Sequence, residues 1–247
     1  MTTPLIKPRY CLNIFSRAIA NALQSVVKYY PSQSLTADPI VVKWPYPILV
    51  HHYDELNAFR DAAAAKNPQE ICVMERDADK HLTLLLRFLD EHVMDGVRAE
   101  QERNKRGLYT WEYTWLSYKP GVTYMERLRG EDEWKASVHH SIDGGNFGDS
   151  PVDWELSQWS MVYNGRFLGR EMYTIVNDRR GEELEVERHI LDTAGIDDAN
   201  TGNLPEPFQQ RIKYGKQYCE LLRKQCKKHK GKSRDFPYNA VGKPFLF

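Results

Sequence analysis

The sequence predicts an α+β fold: a central antiparallel, barrel-like β unit flanked by N-terminal and C-terminal helices. Apolar residues recur at helical spacing towards both ends of the chain. Between them, aromatic and β-branched residues alternate and are interrupted by Lys-Pro-Gly, Asp-Gly-Gly and Asn-Gly turn signals. The predicted boundaries are a mostly helical region at 1–107 that packs on the rest, the β unit at 108–190, and a loop, basic helix and tail at 191–247. Such segregation of helical and strand periodicity is typical of the α+β class.

The first predicted helix follows Ser16, a residue type that commonly caps a helix N-terminus, and must end before Pro31. The segment 38–50 is apolar but broken by three prolines. Because proline cannot donate to a strand ladder, this segment is predicted to be extended and packed over the core, outside any central strand.

Two more helices are predicted before the β unit. Asp54 is expected to cap a helix that runs through Ala65, and the next helix begins near Asp79. The charged run Arg98–Arg106 is interpreted as a solvated helix end or linker. The buried stripe of the helix that begins near Asp79 is predicted to be Leu82, Leu85, Leu86 and Leu89.

The β unit holds five of the six tryptophans of the chain, within Trp111–Asn177. Its aromatic side chains are interpreted mainly as core, because large rings dominate buried area. The alternative is a ring cage or groove for a peptide or a modified lysine. Asp178 to Glu187 is read as an acidic, polar stretch, and a last helix begins near Pro207. The aromatic set comprises Trp111, Trp115, Tyr118, Trp134, Trp154, Trp159 and Tyr163.

Composition narrows the class of protein. The 247 residues carry 34 basic and 34 acidic side chains, so the formal net charge is zero. Nucleic-acid-binding domains are usually strongly basic, which disfavours that class. No apolar run is long enough to span a bilayer, and the N-terminus lacks the apolar core of a signal peptide. The four scattered cysteines predict a reducing, cytoplasmic or nuclear location.

Two pairs of adjacent histidines are candidate sites. His51-His52 leads into the helix that Asp54 is expected to cap, and adjacent side chains diverge, so a structural role is favoured there. His139, His140 and Asp143 lie at a strand end and a glycine turn, where a turn role is again favoured. The alternative is a small metal-dependent or hydrolytic enzyme that uses these last three residues.

The C-terminal region contains two incomplete motifs. Cys219, Cys226 and His229 lack a fourth ligand and a zinc knuckle, and the two cysteines are expected to share a buried helix face. Gly231-Lys232-Ser233 matches only the end of a phosphate-binding loop and follows a helix instead of a strand. The basic stretch Arg223–Lys232 leaves a nucleic-acid-binding module as a further alternative. No catalytic residue, cofactor or metal is therefore expected.

Several segments taken together resemble the N-terminal region of fungal AAA-type ATPases, a region described as a domain of unknown function. They include Ser16–Pro31, which ends in Tyr-Tyr-Pro, Tyr46–Leu56 with Leu-Val-His-His, and His81–Asp90. The clearest is Tyr113–Gly121, which ends in Ser-Tyr-Lys-Pro-Gly. Two further segments, Trp154–Arg170 and the helix with Lys-Tyr-Gly-Lys, come after it. The Tyr-Tyr-Pro, Leu-Val-His-His and Lys-Pro-Gly motifs occur in the family's order. This chain has no complete Walker A loop, so nucleotide chemistry is not carried over.

The resemblance implies a non-catalytic module that recognises a substrate or adaptor protein and regulates an AAA-type ATPase core in cis. No enzyme activity is expected of this chain alone, and neither a membrane nor a nucleic acid is an expected partner. Turn-borne aromatic and basic residues of the β unit are typical of interface hot spots. The predicted contact surface is Tyr118, Lys119, Tyr163, Arg166 and Phe167.

Overall fold

The computed structural model of the chain describes residues 10–66, 77–128, 135–148, 150–163, 167–178, 183–191 and 206–221. The chain forms two compact units, Met1–Leu191 and Asp192–Phe247. The first unit contains both helices and antiparallel strands, which confirms the predicted α+β class. The predicted regions 1–107 and 108–190 lie together in this unit.

The N-terminal part of the first unit begins with a short strand and a capped helix. Strand β1 is Leu12–Ile14 and helix α1 is Arg17–Val26. The Ser16 hydroxyl accepts a hydrogen bond from the Ile19 N–H at 3.2 Å, which confirms the predicted cap. Helix α1 ends at Val26, well before Pro31. It buries one face against the core, made of Ala18, Ile19, Ala22 and Leu23.

The proline-broken segment 38–50 is more regular than predicted. Strand β2, Ile40–Val42, pairs antiparallel with β1, and helix α2 covers Pro47–His51. The expectation of a wholly extended segment was wrong because Pro47 is the first residue of α2. Proline is well tolerated there, since the first helical N–H has no partner within the helix.

Two longer helices and a π-helical turn complete the helical part. Helix α3 is Tyr53–Ala65, helix α4 is Ala78–Leu89, a π-helical segment covers Asp90–Met94, and helix α5 is Asp95–Asn104. All four leucines predicted for the buried stripe of α4 are buried. The capping role of Asp54 was wrong: His52 precedes the helix, and Asp54 lies in the first turn. A carboxylate there still complements the positive end of the helix dipole.

Helix α5 accounts for most of the charged run 98–106. The side chains of residues 98–106 are largely exposed, as predicted for a solvated helix end, and Glu100 is the one that is buried. The buried Glu100 carboxylate accepts a hydrogen bond from the Thr110 N–H at 2.7 Å. This bond ties the end of the helical part to the start of the sheet.

The sheet contains six antiparallel strands in the order β3-β8-β4-β5-β6-β7. The strand pairing is that of an open sheet with β3 and β7 at its edges, and barrel-like closure stays a prediction. Strand β8 covers part of the stretch that was read as acidic and polar. The strands are β3 Leu108–Thr110, β4 Thr123–Leu128, β5 Lys135–Gly144, β6 Trp154–Tyr163, β7 Leu168–Asn177 and β8 Glu183–Leu191.

Residues Trp111–Ser117 form a 3-10 helix, where a strand was predicted. Trp111 and Trp115 are four positions apart. In a strand this spacing places both rings on one face, and in a helix it places them about one turn apart on the same side, so the spacing fits either structure. Both are buried, and the indole N–H of Trp154 donates to the Trp111 carbonyl at 2.7 Å. This contact joins the 3-10 helix to the start of β6.

The aromatic core is confirmed for four of its predicted members: Trp111, Trp115, Tyr118 and Trp154 are buried. Trp159 is half-buried on the opposite face of β6. Trp134 and the side chain of Tyr163 lie outside the described part of the chain. Helices and one sheet face thus share a single hydrophobic core, which also includes Leu156.

The second unit is represented by helix α6, Glu206–Leu221, which begins where the C-terminal helix was predicted. Cys219 is exposed, so its expected burial was wrong. Cys226, His229, the stretch 223–232 and Gly231-Lys232-Ser233 lie outside the described residues. None of the helices described between residues 10 and 221 combines the length and apolarity that a bilayer crossing requires.

Candidate functional site

Three of the segments identified in the sequence, Ser16–Pro31, Tyr46–Leu56 and Tyr113–Gly121, meet around the turn Lys119–Gly121. The Tyr30 hydroxyl lies 3.1 Å from Nδ1 of His51, and Nε2 of His51 lies 3.0 Å from the Trp115 carbonyl oxygen. Because a carbonyl can only accept, Nε2 carries the proton, and Nδ1 accepts from the tyrosine. We call this group of residues, together with His52, Glu55 and Lys119, the junction.

Burial governs the charge of His51. Desolvation lowers the pKa of this imidazole to about 3, although its hydrogen bond to the Trp115 carbonyl opposes the shift. The ring is therefore neutral at physiological pH, which fits its role as a donor at one nitrogen and an acceptor at the other. Burial raises the pKa of Tyr30, so this hydroxyl also stays neutral.

The charged part of the junction is an ion pair next to His52. Nζ of Lys119 lies 2.7 Å from Oε1 of Glu55, and Nδ1 of His52 lies 3.3 Å from the same oxygen. Burial and the Lys119 charge lower the pKa of His52, against the opposing effect of Glu55. Burial tends to raise the pKa of Glu55, but the hydrogen bond and charge of Lys119 outweigh it and leave that pKa lowered.

Backbone hydrogen bonds fix the Lys119–Gly121 turn to the sheet. The Lys119 N–H donates to the Tyr124 hydroxyl at 2.8 Å, and the Gly121 N–H donates to the His139 carbonyl at 2.9 Å. The Tyr118 ring lies against the His139 ring, with 5.1 Å between the centroids. The junction therefore holds helices, turn and sheet in one arrangement.

The second histidine pair does not form the cluster of the enzyme alternative. His139 is fully buried on the core side of β5, whereas His140 is half-buried and its Nδ1 contacts the Tyr29 hydroxyl. Asp143 accepts from the Gly144 N–H at 2.8 Å, as its turn role requires. Within the described residues, no group of three His, Cys, Asp or Glu side chains could hold a metal ion.

The predicted contact surface is divided between two places. Tyr118 is buried at the junction, so its expected role as an exposed contact was wrong, and Lys119 is engaged by Glu55. Phe167 is 62% exposed next to β7. His139 pairs with Gln158 on β6, and the end of that strand lies five residues further on. At 3.4 Å per residue, that stretch of β6 is about 17 Å long, so the surface does not form one continuous patch.

The other two residues of that surface are less completely described. Tyr163 pairs with Leu168 in the β6–β7 ladder, but its side chain lies outside the described part. Arg166 lies outside it altogether. Their predicted contact role therefore stays a prediction.

Strands β6 and β7 expose an apolar face that the sequence reasoning did not identify. Trp154, Leu156 and Gln158 of β6 are buried, so the alternate residues of β6 and their partners on β7 face away from the core. That outward face carries Met161, Leu168, Met172 and Val176, which are 53%, 42%, 52% and 58% exposed. Together with Trp159 they form what we call the outer strip.

Arg170 is the charged member of the same face. Its guanidinium carbon lies 4.3 Å from the centroid of the Trp159 ring, a cation–π contact. The strand alternation in the sequence indicated that β6 and β7 have two faces. Both faces of β7 contain large apolar residues, so no pattern in the sequence distinguishes the covered face from the exposed one.

Comparisons of the chain with protein-family models, with curated proteins and with solved structures each found no match.

Proposed function

We propose that the chain is a non-catalytic, protein-binding or regulatory module of the kind that precedes the ATPase core in fungal AAA-type ATPases. The observation that carries this proposal is the outer strip, which offers several large apolar side chains to solvent on one sheet face. Contiguous apolar patches on soluble domains commonly mark interaction sites. The chemistry of the strip fits that role, because methionine, tryptophan and arginine are enriched at protein interfaces.

The partner that fits this face is an apolar segment of a substrate or adaptor protein. Methionine side chains are flexible and polarizable, so Met161 and Met172 can adapt to different apolar partners. The Arg170 guanidinium beside Trp159 adds a donor at the edge of the apolar area. The outer strip replaces the residues of the junction, and Phe167 of the predicted contact set is exposed and directly precedes β7 in the chain.

The junction supports the proposal in a second way. The Tyr-Tyr-Pro, Leu-Val-His-His and Tyr-Lys-Pro-Gly motifs, on which the resemblance depends, contact one another through Tyr30, His51, Glu55 and Lys119. Motifs that share one set of contacts are expected to occur together in a fold. An ATPase core in cis and a cytoplasmic or nuclear location belong to the same proposal.

The test is direct binding to a purified partner, first captured by cross-linking from fungal lysate and identified by mass spectrometry. Met161→Lys places a charge in the outer strip at an exposed position of β6. We expect it to weaken the affinity at least about tenfold, as for a hot-spot residue. Ala64→Lys adds the same charge on the exposed surface of α3 and should leave the affinity unchanged.

Equal affinity of Met161→Lys and the unmodified chain would reject the outer strip as the binding surface. Metal analysis of the purified protein addresses the enzyme alternative. Stoichiometric zinc, iron or manganese that is lost on His140→Ala would favour that alternative over a binding module.

A further inference from the structure

We propose that two copies of the chain form a two-fold symmetric dimer in which β7 pairs antiparallel with β7 of the second copy, in the register centred on Met172. This inference goes beyond the proposed function, because it assigns the edge of the sheet to a second copy. It rests on the position of β7, on the symmetry of its side chains and on the placement of its charges.

Strand β7 is a long edge strand. It spans ten residues, Leu168–Asn177, and in the described part of the chain it pairs only with β6. Along its length only Tyr173 and Asn177 are half-buried, and the other eight residues are exposed. The outer edge of such a strand presents backbone N–H and C=O groups that can pair with another strand.

The side chains of β7 are arranged symmetrically about Met172. A two-fold axis perpendicular to the sheet does not exchange the two faces of the sheet. A side chain on the outward face of one copy is therefore paired with a side chain on the outward face of the second copy. On the outward face the order is Leu168, Arg170, Met172, Thr174 and Val176. An axis at Met172 places the two apolar ends opposite each other, the two polar residues opposite each other, and methionine opposite methionine.

The charges favour this register over its neighbours. An axis at Glu171 would place two carboxylates directly opposite each other, which is destabilising. An axis at Tyr173 would place Arg170 opposite Val176 and Glu171 opposite an isoleucine. An axis at Thr174 pairs only seven strand residues and leaves Leu168 without a partner. The axis at Met172 pairs nine residues, 168–176, and places no two like charges directly opposite each other; the two copies of Glu171 are diagonal neighbours, about 7–8 Å apart.

The register also builds a continuous apolar row across the dimer. Met172 is the ladder partner of Trp159 on β6. The central row therefore runs from Trp159 through Met172 to the same two residues of the second copy. Thioether sulphur next to an aromatic ring is a favourable contact, so the centre of the interface is its most apolar part.

Sedimentation velocity over a range of concentrations tests the dimer. We expect the unmodified chain to show a concentration-dependent dimer. Met172→Lys and Met172→Glu should each weaken the dimer by more than about tenfold, because like charges would then face each other at the axis. Circular dichroism should stay unchanged, since Met172 is exposed. Met161→Lys is the matched control: it lies on the same face with similar exposure, but on β6, and should leave the dimer intact.

An equimolar mixture of Met172→Lys and Met172→Glu identifies the register. We expect a heterodimer to form in the mixture, because lysine then faces glutamate at the axis. A chain that stays monomeric at all concentrations, a dimer unaffected by Met172→Lys, or a mixture that stays monomeric would each overturn the proposal.

The proposed dimer and the proposed partner-binding surface can be rejected independently of each other. Loss of partner affinity in Met161→Lys with an intact dimer supports the binding surface independently of β7 pairing. A monomeric chain whose partner affinity still depends on Met161 would reject the dimer and retain the proposed function.

Discussion

At Gly145 the structure predicts that a single added methyl group, as in Gly145→Ala, strongly destabilises the fold. Its backbone has a φ of +57°, and a Cβ built there would lie 2.0 Å from Cε2 of Trp154. An L-residue in the left-handed region costs about 1–2 kcal/mol. Overpacking of a well-packed core costs about 1–3 kcal/mol more. Gly145→Ala is therefore expected to lower the free energy of unfolding by about 2–5 kcal/mol.

The Trp154 ring has little freedom to move away. It is fully buried, its indole N–H donates to the Trp111 carbonyl, and its ring meets the Phe147 ring edge-on with 4.8 Å between the centroids. A shift of the ring would therefore disturb a buried hydrogen bond as well as the packing. The stability lost in Gly145→Ala should therefore come from strain in the backbone and the core, because no flexible side chain can move aside to make room for the methyl group.

Urea unfolding of Gly145→Ala measures the effect, with Gly169→Ala as the matched control. Gly169 lies in β7, and a Cβ there would meet no heavy atom within 4 Å. The control is expected to change the free energy of unfolding by less than about 1 kcal/mol. In thermal melts Gly145→Ala should lower Tm by roughly 4–20 °C. Equal stability of the two variants would refute the account of the Asp143–Gly145 turn.

Three further predictions concern the junction and the nucleotide. Tyr30→Phe should lower the free energy of unfolding by about 1–3 kcal/mol, because Nδ1 of His51 loses the donor of a part-buried hydrogen bond; Tyr29→Phe, at a more exposed position, should cost less in the same urea assay. The folded-state pKa of His51, about 3, lies below the ordinary value of 6.5, so between these values the unfolded chain binds a proton that the folded chain does not. Stability should therefore fall as pH drops from 6.5 towards 4, by about 1.4 kcal/mol per pH unit from this group; an equally steep fall in His51→Gln would contradict the assignment. Finally, calorimetric titration with magnesium-ATP should show no saturable micromolar binding, because Gly231-Lys232-Ser233 supplies only the end of a phosphate-binding loop; saturable binding abolished by Lys232→Ala would reverse this conclusion.

Local sequence patterns were sufficient to predict features that lie within a single helix. The cap at Ser16 depends on one side chain and a helix that follows it directly. The leucines of α4 are spaced so that they lie on one face only if the segment is a helix. Helix α3 ends at Ala65, in agreement with the Asn-Pro sequence that follows it. These interactions span three or four residues, so the neighbouring sequence contains all the information.

The errors occurred where a pattern fits two structures. The spacing of Trp111 and Trp115 suits either a strand or a helical turn, and the contact with Trp154, some forty residues further on, accompanies the helical form. The sequence prediction missed strand β8 because its glutamates give it an acidic, polar composition, although Leu184 and Val186 alternate with them. Its pairing with β3 and β4 depends on strands far away in the chain.

The sequence by itself determined the mixed class of the fold, the main helices, the turns and the presence of an aromatic core, because periodicity and turn chemistry act locally. Only the tertiary structure decided that Tyr30, His51, Glu55 and Lys119 meet, and that Tyr118 is buried while the outer strip is exposed. The physical reason is that burial depends on what covers a face. A strand with large apolar residues on both faces, such as β7, does not reveal in its own sequence which face the rest of the chain will cover.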